Sequence, residues 1–293
     1  MSEIPERTLS LVVDQQFDHP EGLVWDGARN RLLLVDIFAG AVVSYQPSTG
    51  VLETWAVGRP VGCVAPQRSG GLICGVREGF GSLSDEGHFE LLSQPLIDKP
   101  YLQVNDGAVD QRGRLWAGTT CLEPLAHPDE GVLYRLDAAD RQPSVQLQGV
   151  NVSNGIGWSP DGARCYYIDT PTQRLDWFSF DPEAGRLGER RTLAEVDGVP
   201  DGLAVDADGC IWVSFCGQWE VRRFTPAGRV DRVVRLPGSH VTTCSFGGAD
   251  LSTLFIAVSA HDLDAAARRS QKAGYVFAID AGTQGLATYE FGS

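Results

Sequence analysis

Glu21-Gly22, Asp106-Gly107, Asn154-Gly155 and Asp201-Gly202 each set an oxygen-bearing side chain before a glycine, at the head of four similar phrases. Each phrase runs on as an apolar segment, a turn and a second apolar run, as in EGLVWDGARNRLLLVDI and NGIGWSPDGARCYYIDT. A single pair of this kind is an ordinary β-turn signal. Four at one phase of a repeat bring their side chains to equivalent points of the structure that the repeat builds. The oxygens of Glu21, Asn154 and Asp201 form a hard ligand set suited to Ca²⁺, Mg²⁺ or Mn²⁺, with Zn²⁺ and Fe²⁺ also open. One divalent metal ion is therefore the expected cofactor.

Asn105 stands one residue out of that phase and Asp106 stands in it. Asn105 is expected to contact substrate or water at the ion, while Asp106 either joins the site or organises its loop. Gln103 and Glu123 bracket this stretch and are expected to bind substrate hydroxyls. His19 and His240 flank strand starts on the same side and are acid–base candidates; His88 and His127 read as loop residues. No GxSxG elbow supports a serine nucleophile, and no glycine-rich stretch carries a phosphate-loop lysine.

The elements that must position these groups follow from the repeat. Two weaker copies begin near Val61-Gly62 and Thr243-Cys244, so the starts at 21, 61, 106, 154, 201 and 243 lie 40 to 48 residues apart. Such a period suits four-stranded sheets arranged round an axis. The expectation is an all-β, six-bladed β-propeller with four antiparallel strands per blade, forming a single domain over residues 1–293. Either Leu9–Val13 or the C-terminal ATYEF segment could supply the strand that closes the ring. Trp25, Trp116, Trp158 and Trp212 fall in comparable strands and are expected to pack blade against blade. Extra length at Cys121–Glu130 and Val145–Ser153 reads as loops, and Asp262–Lys272 reads as a short helix.

Composition narrows the partners. A formal charge of −14, from 38 acidic and 24 basic residues, disfavours nucleic-acid backbones and anionic membranes. No apolar run approaches the roughly 20 residues that span a bilayer, and the first residues lack the pattern of a secretory signal. Seven cysteines form neither a CxxC pair nor a zinc pattern, and several lie in apolar strands such as LICGV. They read as buried free thiols of a cytoplasmic protein, a monomer or weak homo-oligomer.

EGLVWD, NDGAVDQRGRLWAGTT, SNGIGWSPDG, DGLAVDADG and FGGADLSTLFIAVSA, in this order, resemble the SMP-30/gluconolactonase family, also called regucalcin-like, from about Leu11 to Ile279. The resemblance implies a six-bladed propeller with one divalent ion in the central channel. It assigns the metal ligands to Glu21, Asn154 and Asp201, and the substrate side to Asn105 and Glu123. Family members often carry an arginine two residues before that asparagine; here Gln103 stands there, which removes a fixed cationic fork and speaks against an anionic substrate.

The expected activity is hydrolysis of a sugar aldonolactone, such as glucono-, xylono-, arabinono- or galactonolactone, to its sugar acid. Asp201 is the expected general base, in competition with direct activation of water by the ion. The alternatives are a calcium-dependent hydrolase of other lactones or organophosphates, and a non-catalytic metal-binding or interaction propeller.

Overall fold

Turn chemistry shapes the blades. Where the first strand of a blade reverses into the second, an aspartate collects the N–H groups that the turn exposes. Asp110 accepts from the backbone of Arg112 and Arg114, and Asp206 from that of Asp208 and Cys210. The same two carboxylates accept from the indoles of Trp116 and Trp212 at 2.9 Å. Arg114 and Arg223 complete the pairs at 2.7 and 2.8 Å. Asp26 and Arg31 repeat the arrangement at 2.9 Å in the first blade.

In a computed structural model of the chain, which describes residues 2–4 and 8–292, six antiparallel sheets follow one another. Residues 1, 5–7 and 293 of the expected 1–293 domain lie outside the described residues. The inner strands of blades 1 to 6 are Pro20–Asp26, Val61–Pro66, Leu102–Val109, Ser153–Trp158, Val199–Val205 and Val241–Gly247. Three further strands step outward from each, giving the six-bladed β-propeller that the repeat period implies. Ser10–Val13 is the outermost strand of blade 6, antiparallel to Tyr275–Asp280, so the N-terminal segment closes the ring.

The C-terminal segment takes another course. It crosses the underside, with the N–H of Gly285 donating to Leu251, that of Phe291 to Pro66 and that of Gly292 to Gly113. Ser2–Ile4 adds a parallel fifth strand to blade 5, against Val230–Arg235.

The core lies between the blades. Trp25, Trp116, Trp158 and Trp212 are all buried there, each worth about 1.5–3 kcal/mol by the scale of large apolar side chains. They are not in comparable strands: Trp25 and Trp158 sit on inner strands, Trp116 and Trp212 on second strands. Residues 122–130 form a loop as expected, but much of 145–153 does not. Pro143–Val150 is the outer strand of blade 3, where two breaks in register weaken the alternation that marks a strand. Ala265–Ser270 is the short helix, capped by Asp264. All seven cysteines are free, six of them buried and Cys216 half-buried. No described helix is long and apolar enough to cross a membrane.

Asp206→Ala leaves two turn N–H groups, an indole and Nε of Arg223 without their acceptor at once, while Asp208 and Asp231 keep the other guanidinium nitrogens. The expected cost is about 3–5 kcal/mol. Urea denaturation beside the unaltered protein measures it, and a loss below about 1 kcal/mol contradicts the account.

Candidate metal centre

Each inner strand holds one residue more than its partner strand, and the extra residue falls near the same level in all six blades. The breaks in pairing lie between Glu21 and Val24, Val61 and Cys63, Val104 and Asp106, Ser153 and Ile156, Pro200 and Leu203, and Val241 and Cys244. A bulge bends the strand and re-aims its side chains. Asn105 is the surplus residue of blade 3, which accounts for its offset from the repeat phase. Gly22 takes a left-handed φ of 55° at the first bulge, a conformation that a side chain disfavours. At Gly202 a Cβ would lie 2.9 Å from the Cα of Thr243, so glycine lets blades 5 and 6 approach closely.

The loops that lead into two of the proposed ligands are held from their own second strands. Asp36 accepts from the N–H groups of Asp18 and His19 at 2.9 and 3.0 Å, just before Glu21. Asp169 accepts from those of Asn151 and Val152, just before Asn154. Asn105 donates through Nδ2 to Oδ1 of Asn154 and to the carbonyl of Ser153, both at 2.9 Å, joining blade 3 to blade 4. Asn154 in turn donates to Thr170 Oγ1 at 2.7 Å.

Burial raises the carboxyls of Glu21, Asp106 and Asp201, and the charge of Asp106 adds to the effect at the other two. Burial, then the charges of Asp201 and Asp106, hold the Glu21 carboxyl well above its ordinary range. Asp201 is raised by burial and by Asp106. Asp106 is pushed up to about 6, chiefly by burial. The hydrogen bonds offset this only in part: Gly22 N–H donates to Glu21 and Gly107 N–H to Asp106, each at 2.7 Å.

Buried like charges without a cation are unfavourable, and a divalent ion among oxygen ligands relieves that cost. The donor set thus fits a hard cation, which Glu21, Asn154 and Asp201 would hold, with Asp106 close enough to act on both acids. Among the described residues no three His, Cys, Asp or Glu side chains group closely enough to hold a metal by themselves. The candidate trio depends on the carboxamide of Asn154.

Gln103 is buried at the start of the blade 3 inner strand, two residues from Asn105. Glu123 is exposed in the loop beyond the second strand of blade 3. His19 sits beside Ser259, with 2.8 Å between Nδ1 and Oγ, and burial lowers its pKa to about 4, so it is neutral. His240 leads into the inner strand of blade 6. His88 is exposed, and His127 stacks on Tyr101 with ring centroids 3.6 Å apart.

Asp36, Asp169, Thr170 and Thr242 escape the sequence reading. The signal available was the aspartate ending the second strand in both VDI and IDT. At the other end of the channel an apolar cavity of about 150 Å³, lined by Leu23, Ile156, Leu203, Phe246 and Leu286, contains none of the candidate residues.

Fold and site together define a six-bladed propeller with an acidic, bulged channel mouth. Residues 19–260 match the SMP-30/Gluconolactonase/LRE-like region, and the chain belongs to that family. Regucalcin of Xenopus laevis is 32% identical over 293 residues, covering 97% of this chain and 98% of that one. The structure of a calcium-binding protein, regucalcin, from Agrobacterium tumefaciens superposes with a TM-score of 0.92 at 22% identity, covering 99% of each chain. A gluconolactonase from Xanthomonas campestris superposes at 0.75 with 22% identity, covering 92% of this chain and 88% of that one. At those identities the two structures attest the fold.

The raised carboxyls set a pH dependence for metal-free protein. In the unfolded chain a carboxyl loses its proton near about 4, whereas folded Asp106 keeps it to about 6. The folded state binds more protons in that window, so this contribution to stability falls as pH rises from about 4 through 6. Glu21 and Asp201 shift in the same direction. Urea curves at about pH 4.5 and 7.5 are expected to show a fall that Asp106→Asn flattens; an unchanged fall contradicts the coupling.

Proposed function

We propose that the protein is a metal-dependent lactonase that opens a sugar aldonolactone, of the glucono-, xylono-, arabinono- or galactono- series, to the sugar acid. The observation that carries this reading is the pair of carboxyls, Glu21 and Asp201, raised by burial and by the charge of Asp106, beside a carboxamide whose oxygen is fixed by its neighbours. Membership of a family described by gluconolactonase supports the reaction class. A divalent ion bound there supplies charge that polarises the lactone carbonyl and lowers the pKa of nearby water.

The chain's own groups do the rest. Asp201, which keeps part of its surface open, takes the proton of the attacking water as oxygen adds to the carbonyl carbon. The ring C–O bond then breaks, and that proton returns to the ring oxygen as the hydroxyl of the sugar acid. Asn105 orients the substrate from its place beside Asn154. Gln103 offers an amide near the start of the same strand, and Glu123 reaches hydroxyls from the loop above. A neutral Gln103 suits an uncharged lactone better than an anionic one. The proposed setting is cytoplasmic, with the chain acting as one propeller domain, a monomer or weak homo-oligomer, and with no nucleic acid or membrane as partner.

Lactone opening by pH-stat, on metal-stripped protein with each divalent ion restored singly, tests the reading. One sugar series is expected to turn over on metal addition, and Asp201→Ala to lose about 10²–10⁴-fold in rate. Turnover of apolar lactones or phosphotriesters instead points to the other hydrolase class. Metal binding without turnover on any of them points to a non-catalytic propeller.

A further inference from the structure

The side chain of Thr170 stands between two of the proposed ligands. It follows the second strand of blade 4, and its Oγ1 lies 2.8 Å from the carbonyl of Pro200, the residue before Asp201. A carbonyl oxygen only accepts, so the single hydroxyl hydrogen of Thr170 is committed to Pro200. Towards Asn154, 2.7 Å away, Thr170 can therefore only accept. Hydrogen counting thus places the NH₂ of Asn154 on Thr170 and its Oδ1 on the opposite side. Asn105 agrees independently, because its Nδ2 donates to that same Oδ1. With the amide reversed, Oδ1 would face an oxygen that has no hydrogen left to give, and the Asn105 contact would set nitrogen against nitrogen.

From this relay we infer that Thr170 is a positioning residue for the metal centre. It fixes which atom of Asn154 meets the cation and ties that atom to the backbone that carries Asp201. The inference rests on the proposed metal reading. The backbone around it is held to match, since Thr170 N–H donates to the Val152 carbonyl at 3.0 Å while Asp169 holds the N–H of Val152 at 2.9 Å. Blade 6 repeats one half of the device. Thr242 donates to the carbonyl of Pro20, directly before Glu21, at 2.8 Å. Both proposed carboxylate ligands thus follow a proline whose carbonyl is held by a threonine from a neighbouring blade.

Outer partners of this kind change metal affinity by about 10–100-fold when removed. Calorimetric titration of stripped protein with Ca²⁺ and with Mn²⁺ tests the role in wild type, Thr170→Val and Thr170→Ser. Valine keeps the shape and removes the relay; serine keeps the hydroxyl. Affinity is expected to fall about tenfold or more in Thr170→Val and to stay within about threefold in Thr170→Ser. The melting temperature of the stripped valine variant is expected within about 4 °C of wild type. Should valine fail to fold, Thr170→Ala takes its place. Equal affinity in wild type and the hydroxyl-free variant overturns the role of Thr170 and leaves the metal reading standing. A wild type that binds neither ion overturns the metal reading itself, and this inference with it.

Discussion

Side chains on a strand point to one face of the sheet or the other, and in a propeller both faces press against neighbouring blades. A regular inner strand therefore offers the axis little but backbone. A break in the pairing bends the strand and re-aims a side chain toward the middle of the ring. The surplus residue near one level of all six inner strands is the constraint on which the centre depends. It lets groups that are over a hundred residues apart in sequence act on one another, as Glu21 and Asp201 do.

The two ends of the inner strands treat the same chemical group in opposite ways. At the lower end, Asp26, Asp110 and Asp206 are each paired with a guanidinium and bonded to turn N–H groups. They bind the blade together. At the upper end, burial raises the proton affinity of Glu21, Asp106 and Asp201, the charge of Asp106 adds to it at the other two, and a backbone N–H offsets part of it at Glu21 and at Asp106. Turns that stabilise and a mouth that concentrates charge are thus separated by the length of one strand.

This division also explains what the sequence could reveal. Glu21, Asn154 and Asp201 share a phase because each stands at its blade's bulge, so spacing alone grouped them. Asn105 broke the phase, and a regular pleat would have turned it away; the bulge between Val104 and Asp106 restores it. Thr170 and Thr242 left no such mark, since each acts on the carbonyl of a proline in another blade. Ring closure was equally hidden: Leu9–Val13 and ATYEF both read as strands, and only three-dimensional reach decides between them. The outer strand of blade 3 reads as a loop because SVQLQGV mixes polar residues and a glycine into a short alternation.

The route of the C-terminal segment has a consequence for how the ring holds together. The first closure is a seam at the rim, where Ser10–Val13 joins blade 6. The second is a chord: residues 284–292 run beneath the channel from Asp206 and Leu251 to Pro66, Gln67 and Gly113. A seam resists the parting of two neighbours, whereas a chord resists the spreading of opposite sides. Fraying at the N-terminus therefore leaves the chord, and fraying at the C-terminus leaves the seam, so the two ends guard the ring against different distortions.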